Sequence, residues 1–422
     1  MRFQLPVVVL LAVLSRFSGA GDWPTFRGVD RTAVAPDTDL LEAWPADGPP
    51  LVWEAKGAGR GYSSPAIAGE RIFTLGDGLS TADDAAEYLS CFDRATGKQL
   101  WKTKTGEPWT SGQDSWQSSR STPTVDGAMV YVLTPFGQLV ACLVKDGRAV
   151  FRVDLKEQFG GTKGDSWGYS ESVTIDGQKL VCIPGGPQAT VVALDKKSGR
   201  LIWACPVPAD PGAGHASIVS AEVGGRRVYV TTTAGGAIGV DAKTGTLLWT
   251  YPIDKTTAVI PTPIVKGDLV FFSAGYKRGG ALLRQVPGPG GTVTVEQVYP
   301  LNTELANKHG GVVLLGDHLY GDSDDKGIPF CAELETGKIV WKERGSGRNS
   351  ACVAAGDGHV YVKFSDGTVA LVKADPAAYQ EVSTFKVPGS GDRPSWAHPV
   401  IVDGRLYLRE GDAILCYDIR AK

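Results

Sequence analysis

The sequence predicts an all-β fold, an eight-bladed β-propeller of four-stranded antiparallel blades, on three observations. A turn frame (small residue, acid, Gly, Trp at fixed spacing) recurs along the chain. A strand–glycine turn–strand signature recurs eight times between the copies. One spare strand stands in front of the first unit, where it can complete the last.

The turn frame is clearest at Ala193, Asp195, Gly199 and Trp203. It returns at Cys91, Asp93, Gly97 and Trp101, at Gly239, Asp241, Gly245 and Trp249, and at Cys331, Glu333, Gly337 and Trp341. A worn copy keeps Cys142 and Gly147, with Phe151 in the Trp position. The turn glycines are 50, 52, 46 and 92 residues apart, and the last step, twice 46, predicts one degenerate copy inside it. A period of this size is one supersecondary unit repeated. The runs before the acid are short and β-rich (V-V-A-L from Val191, I-G-V from Ile238), which predicts strands. The acid accepts hydrogen bonds from the turn backbone and Gly takes positive φ. Two residues before the acid the side chain stays small: Cys91, Cys142, Ala193, Gly239, Cys331 and Cys416. That predicts close approach by a bulky group, with Trp53, Trp101, Trp203, Trp249 and Trp341 as structural docking residues, each able to bury ~150–250 Å².

The hairpins begin at Pro65, Pro123, Val173, Ser220, Pro263, Val312, Cys352 and Pro399. Each is followed by a third strand and most by the Trp-bearing fourth, and four antiparallel strands repeated radially make a propeller. Leu51–Ala55, carrying Trp53, is the spare strand expected to close the ring and cover an open sheet edge. Residues 51–422 are therefore read as the propeller and 21–50 as an N-terminal arm. Residues 1–20 read as an export signal cleaved near Ala20: Arg2, an apolar Leu5–Leu14, then small residues. That apolar run is too short to span a bilayer. No Cys follows it closely, so no lipid anchor is expected, and a periplasmic or secreted monomer is. The acids (46) exceed Lys and Arg (43), which argues against a nucleic-acid partner.

Strand order sorts the connections by face. Length variation falls on one face, in Gly76–Glu87, Thr105–Ser119, Lys156–Gly168, Pro206–His215, Ala274–Gly280 and Gly321–Pro329, and inserts confined to one face build binding surfaces. Trp109, Trp116, Trp167, Tyr169 and Trp396 cluster there. The innermost strands open at the same face, so Tyr62, Arg120, Glu171, His215, His309, Arg348, Asn349, Trp396 and His398 are the candidate ligand-binding residues around the channel mouth. Cys182, Cys205 and Cys352 could include one disulfide in an exported protein. The D-S-D-D-K-G run from Asp322 departs from a calcium loop at Lys326 and reads as a solvated acidic loop. No G-x-S-x-G, H-E-x-x-H or P-loop occurs.

The A-x-D-x-x-x-G-x-x-x-W frame resembles the tryptophan-docking motif of quinoprotein-type propellers, the pyrroloquinoline quinone (PQQ) repeat superfamily, across essentially the whole chain that follows residue 20. The opening W-P-x-F-R-G is similar to exported PQQ-like repeat proteins. The resemblance implies either a PQQ- and calcium-dependent alcohol or sugar dehydrogenase, or a non-catalytic BamB-like relative. The dehydrogenases carry two adjacent cysteines over the quinone, whereas the seven here are isolated, and they hold calcium with Glu, Asn and a catalytic Asp. Glu171 and Asn349 match those by location, with Arg120 beside the quinone, and no Asp aligns. The expectation is a non-catalytic binding protein with no cofactor and no metal. It would take a polypeptide, glycan or small-molecule ligand at the insert-bearing face.

Overall fold

The computed structural model describes residues 21–78, 85–254 and 256–421. The export-signal reading of 1–20 and part of the Gly76–Glu87 connection lie outside them. The strands, β1 (Leu51–Ala55) to β32 (Ala413–Asp418) in chain order, form eight four-stranded antiparallel sheets. Seven are simple meanders. The eighth has the order β1-β32-β31-β30, so the spare strand pairs with the end of the chain, Ala55 opposite Ile414.

The turn frame folds by local chemistry. Oδ1 of Asp93, Asp195 and Asp241 accepts from the backbone N–H of Thr96, Ser198 and Thr244 at 2.9, 2.9 and 2.7 Å, and Gly199 takes φ 71°. The small residue lies directly opposite the aromatic one: Cys91↔Trp101, Ala193↔Trp203, Gly239↔Trp249, Cys331↔Trp341 and Trp53↔Cys416. In the worn copy Ala141, not Cys142, faces Phe151, because Ala141 stands six residues before Gly147, the spacing that Cys91 keeps to Gly97 and Ala193 to Gly199. A bulge follows each pair inside the blades, as between Ala193 and Leu194, and adds twist where the large ring must fit.

Each large ring reaches the next blade. A Cβ on Gly147 would lie 2.5 Å from Trp101, on Gly199 2.8 Å from Phe151, on Gly245 2.6 Å from Trp203, and on Gly97 2.7 Å from Trp53. Trp249 Nε1 donates to Gln285 Oε1 at 3.1 Å and Trp341 Nε1 to the Asp375 carbonyl at 2.9 Å. The degenerate copy is the fifth blade, where Tyr299 lies over Gly337. In the seventh blade Ser383 stands at the Trp position, opposite Leu371. There Trp44 of the arm packs on Tyr361 and Phe385, with centroids at 5.8 and 5.2 Å. All seven cysteines are buried free thiols, so no disulfide forms among Cys182, Cys205 and Cys352.

Residues 21–50 do not hang off the ring; they run beneath it. Trp23 pairs with Ile67 of the first blade, and Thr25 Oγ1 bonds Thr124 Oγ1 at 2.8 Å. Arg31 donates to the Val173 carbonyl and Arg27 to the Val312 carbonyl, both at 2.6 Å, on opposite sides of the channel. Ala33 and Ala35 then bond the backbone of Ala355, and Leu41 that of Ile419. The arm thus crosses the channel on the face of the first hairpin turns and floors it.

Candidate functional site

Side chains alternate along the inner strands, so only every second residue faces the axis. Tyr62, Arg120, Ser170, His215, Ile260 and Trp396 form one tier of the wall. Ser64, Thr122, Ser172, Ser217, Thr262 and His398, two residues further along, form the next. The second tier is stitched blade to blade. The backbone N–H groups of His398, Ser64, Thr122, Ser172 and Ser217 donate in turn to the hydroxyls of Ser64, Thr122, Ser172, Ser217 and Thr262, at 2.9–3.2 Å. The stitching stops at the sixth and seventh blades, where Gly311 and Ala351 offer no hydroxyl. Arg27 fills the space over Gly311: a Cβ there would lie 2.4 Å from its Nη1.

The result is a cup of about 310 Å³. Trp116 and Trp167 from two insert connections stand at its rim, edge to face with centroids 6.1 Å apart. Tyr62, Trp396 and Tyr276 add aromatic wall, and Phe26 and Arg27 of the arm form the floor. Among the described residues the lining contains Arg27, Arg120, Lys308 and three histidines but no Asp or Glu. Arg120 is spent on the Trp167 and Trp116 carbonyls. Burial pulls both Arg27 and Arg120 down to about 10, without removing their charge near neutrality.

His215 is held from both sides: Nε2 on Asp165 Oδ2 at 2.8 Å and Nδ1 on the Ser170 hydroxyl at 2.5 Å. The carboxylate partner puts the proton on Nε2, leaving Nδ1 to accept from Ser170. Burial and the neighbouring Lys163 ammonium lower His215 to about 4, overriding the carboxylate. Burial opposes the charge on Asp165, but the His215 bond and Lys163 prevail and hold it down to about 2. At the floor, His398 Nε2 faces the His309 carbonyl at 3.2 Å and His309 Nε2 faces the Ser350 hydroxyl at 2.9 Å. The second ring nitrogens of both, and Arg27 Nη1, are buried with no hydrogen-bond partner.

Six of the nine candidate residues line this cup: Tyr62, Arg120, His215, His309, Trp396 and His398. The other three do not. Glu171 points away from the channel into its own blade, where its Oε1 accepts from the Ile183 N–H at 2.6 Å, because it alternates with the channel-facing Ser170 and Ser172. Arg348 and Asn349 lie exposed outside the lining. Of the clustered aromatics, Trp109 packs on Phe136 instead and Tyr169 is core. Sequence reasoning missed Arg27, Phe26 and the hydroxyl tier. The W-P-x-F-R-G opening and the Ser or Thr two residues after five of the six wall positions were the available signals.

The residues a quinone–calcium site would need do not meet. Glu171 and Asn349 are both outside the cup that holds Arg120. Among the described residues no three His, Cys, Asp or Glu side chains form a group that could hold a metal ion. Asp324 of the acidic loop accepts from the Tyr276 and Lys277 N–H groups, and Asp325 pairs with Lys308 at 2.8 Å. No helix among the described residues is long and apolar enough to cross a membrane.

Comparison with known proteins adds kinship. Residues 85–343 match the family model described as outer membrane protein assembly factor BamB. The chain is 26% identical over 404 residues to outer membrane protein assembly factor BamB of Burkholderia pseudomallei (strain K96243), covering 85% of this chain and 97% of that protein. Among solved structures it resembles BamB from Moraxella catarrhalis, with TM-score 0.61 and 17% identity over 88% of this chain and 98% of that one. It also resembles quinohemoprotein alcohol dehydrogenase from Comamonas testosteroni, with TM-score 0.64 and 12% identity over 95% of this chain and 81% of that one. At such identities the structural likenesses speak for the fold alone.

Proposed function

The chain belongs to the BamB family of PQQ-like β-propellers, and on that premise we propose that it is an exported, non-catalytic scaffold that binds a polypeptide at its insert-bearing face and channel mouth. One observation carries the reading. The channel is a blind cup with an aromatic rim, cationic and histidine-lined, while the acid and amide that a quinone–calcium site would use are turned elsewhere. Aromatic surface flanked by Arg and Lys suits adaptable recognition of a chain. The sequence relative that spans nearly the whole protein bears an assembly-factor name, not an enzyme's.

The test pairs two measurements on the purified protein. A photo-crosslinking residue at position 116 or 136, on the insert-bearing face, should capture polypeptide. The same residue at position 201, exposed on an outer strand, should not. Added PQQ and calcium should wash out on desalting and give no dye reduction with alcohols or sugars. Retained quinone with activity, and no mouth-specific cross-link, would replace this reading with the dehydrogenase one.

A further inference from the structure

One wall of the cup carries three side chains in series. Ser170, partly exposed, lines the cup. Its hydroxyl lies 2.5 Å from His215 Nδ1, and His215 Nε2 lies 2.8 Å from Asp165 Oδ2. His215 is 7% exposed, so the ring sits behind the serine and out of bulk water. Asp165 is fixed in turn. Its Oδ1 accepts from the Trp167 N–H at 3.0 Å, and the Lys163 ammonium stands 3.8 Å from Oδ2.

A hydroxyl on one imidazole nitrogen and an ionised carboxylate on the other is the arrangement that turns a serine into a nucleophile. The carboxylate keeps the ring proton on Nε2 and stabilises the ring when it becomes charged, and Nδ1 is free to take the hydroxyl proton. Serine hydrolases of the trypsin type use the two nitrogens the other way round, but the chemistry requires only that one be protonated and the other free. A second serine–histidine pair stands at the floor, Ser350 and His309 at 2.9 Å. It differs in both respects that matter: Ser350 is 1% exposed, and His309 Nδ1 has no partner to orient the ring. Of the two pairs, the one at Ser170 is open to the cup and backed by an acid.

The walls set the reactant. Trp116, Trp167, Ile260 and Tyr276 bound a space of about 310 Å³, room for a short acyl chain or a single ring. Arg120 grips the Trp167 carbonyl, three residues before Ser170. A fixed positive charge therefore stands in the cup to stabilise the electrons that an attacked carbonyl oxygen gains.

We propose that Ser170 is an activated nucleophile that takes the acyl group of a small apolar ester, with His215 as its base and Asp165 as the positioning residue. The bond from Oγ to the carbonyl carbon forms as the hydroxyl proton passes to His215 Nδ1. The ester C–O bond then breaks, and the same proton leaves Nδ1 for the departing oxygen. The products are acyl-Ser170 and the free alcohol, and no electron donor or acceptor is needed. One acyl group is consumed per chain, so the inference goes beyond the scaffold reading and does not rest on it.

The experiment treats the full-length protein with p-nitrophenyl butyrate and follows p-nitrophenolate release, the intact mass and the acylated peptide. A burst of about one equivalent is expected, with the butyryl group mapped to Ser170. Asp165→Asn should slow the burst by ~10³-fold or more, because an amide N–H against Nε2 moves the ring proton to Nδ1. Nitrogen NMR of His215 should show that proton moved. The wild-type adduct needs no variant, so an Asp165→Asn protein that folds poorly leaves the test intact. Absence of a burst overturns the inference, and so does butyrate on Ser350, or scattered over surface residues at the rate of the urea-unfolded chain. An Asp165→Asn burst as fast as that of the wild type overturns it as well. Release continuing past the first equivalent supports the nucleophile and overturns only the non-catalytic part of the scaffold reading, which cross-linking at the rim tests separately.

Discussion

Trp44 donates its backbone N–H to the Ser383 hydroxyl at 2.9 Å, laying an indole from the N-terminal arm over the one outer-strand position that the repeat leaves with a serine. The seam between the seventh and eighth blades is closed by a residue outside the repeat. Phe385, against which Trp44 packs, goes on to meet Tyr417 of the eighth blade at 5.2 Å. Trp44→Ala should therefore cost about as much as Trp203→Ala, ~3–5 kcal/mol each. Urea unfolding of the two variants checks this. A Trp44 loss below a third of the Trp203 loss would reduce the arm to an ornament.

The hydroxyl tier makes a residue-level prediction. Ser172→Ala leaves the buried Thr122 N–H without its acceptor, at a cost of ~1–3 kcal/mol. Hydrogen exchange at the Thr122 amide should accelerate while Ser217, whose acceptor is Thr262, keeps its protection.

Glu171 sets the alkaline behaviour. Burial raises its carboxyl to about 8, against the opposing Ile183 bond and the charges of Arg31 and Lys163. The folded state then keeps a proton that the unfolded chain releases above the ordinary carboxyl range. Its contribution is fully present below about pH 4.5 and is lost as pH rises through about 8. Glu171→Gln keeps an acceptor for Ile183 and does not ionise. The gap in melting temperature between the variant and wild type should therefore widen in the variant's favour from pH 5 to pH 8.5. A gap independent of pH would show that the carboxyl is not protonated in the fold.

His215 acts on the other limb. Its folded value, about 4, lies below the ordinary 6.5. Between these the unfolded chain binds a proton that the folded one refuses, so stability falls as pH drops from about 6.5 to about 4. His215→Gln should lose stability at neutral pH, because the Asp165 and Ser170 bonds are weakened, but should show a shallower decline on acidification. Differential scanning calorimetry across that window tests both signs.

The sequence carried the architecture because each blade repeats one local solution, an acid–glycine turn with a large ring at fixed spacing. Turn chemistry of that kind is decided within a few residues. Trp44 escaped notice because no spacing links it to Ser383, 339 residues away. The wall was half legible. Ser170 and His215 sit where an inner strand opens, but alternation turns Glu171 away from the channel into its own blade, and a window of adjacent residues could not say which of each pair faces inward. Arg348 and Asn349 were misplaced because they stand only three and two residues before the seventh blade's inner strand at Ala351, whereas Tyr62, Arg120 and Ser170 stand four before theirs, at Ala66, Thr124 and Thr174. The floor was legible only as a motif: the W-P-x-F-R-G opening marks Phe26 and Arg27, but that the arm doubles back under the ring is a matter of three-dimensional path, recorded in no local pattern.

The pairing of Leu51–Ala55 with Ala413–Asp418 has a bearing on how the chain is made. A ribosome delivers the first of these segments early and the second only near the end, so the early strand waits without a neighbour while seven blades assemble. The final step must recruit the segment most distant in sequence, which is the slow kind of contact. Moving residues 51–55 by circular permutation to follow Ala421 would turn the eighth blade into an ordinary hairpin meander, and refolding of that permutant should finish sooner than that of the natural order.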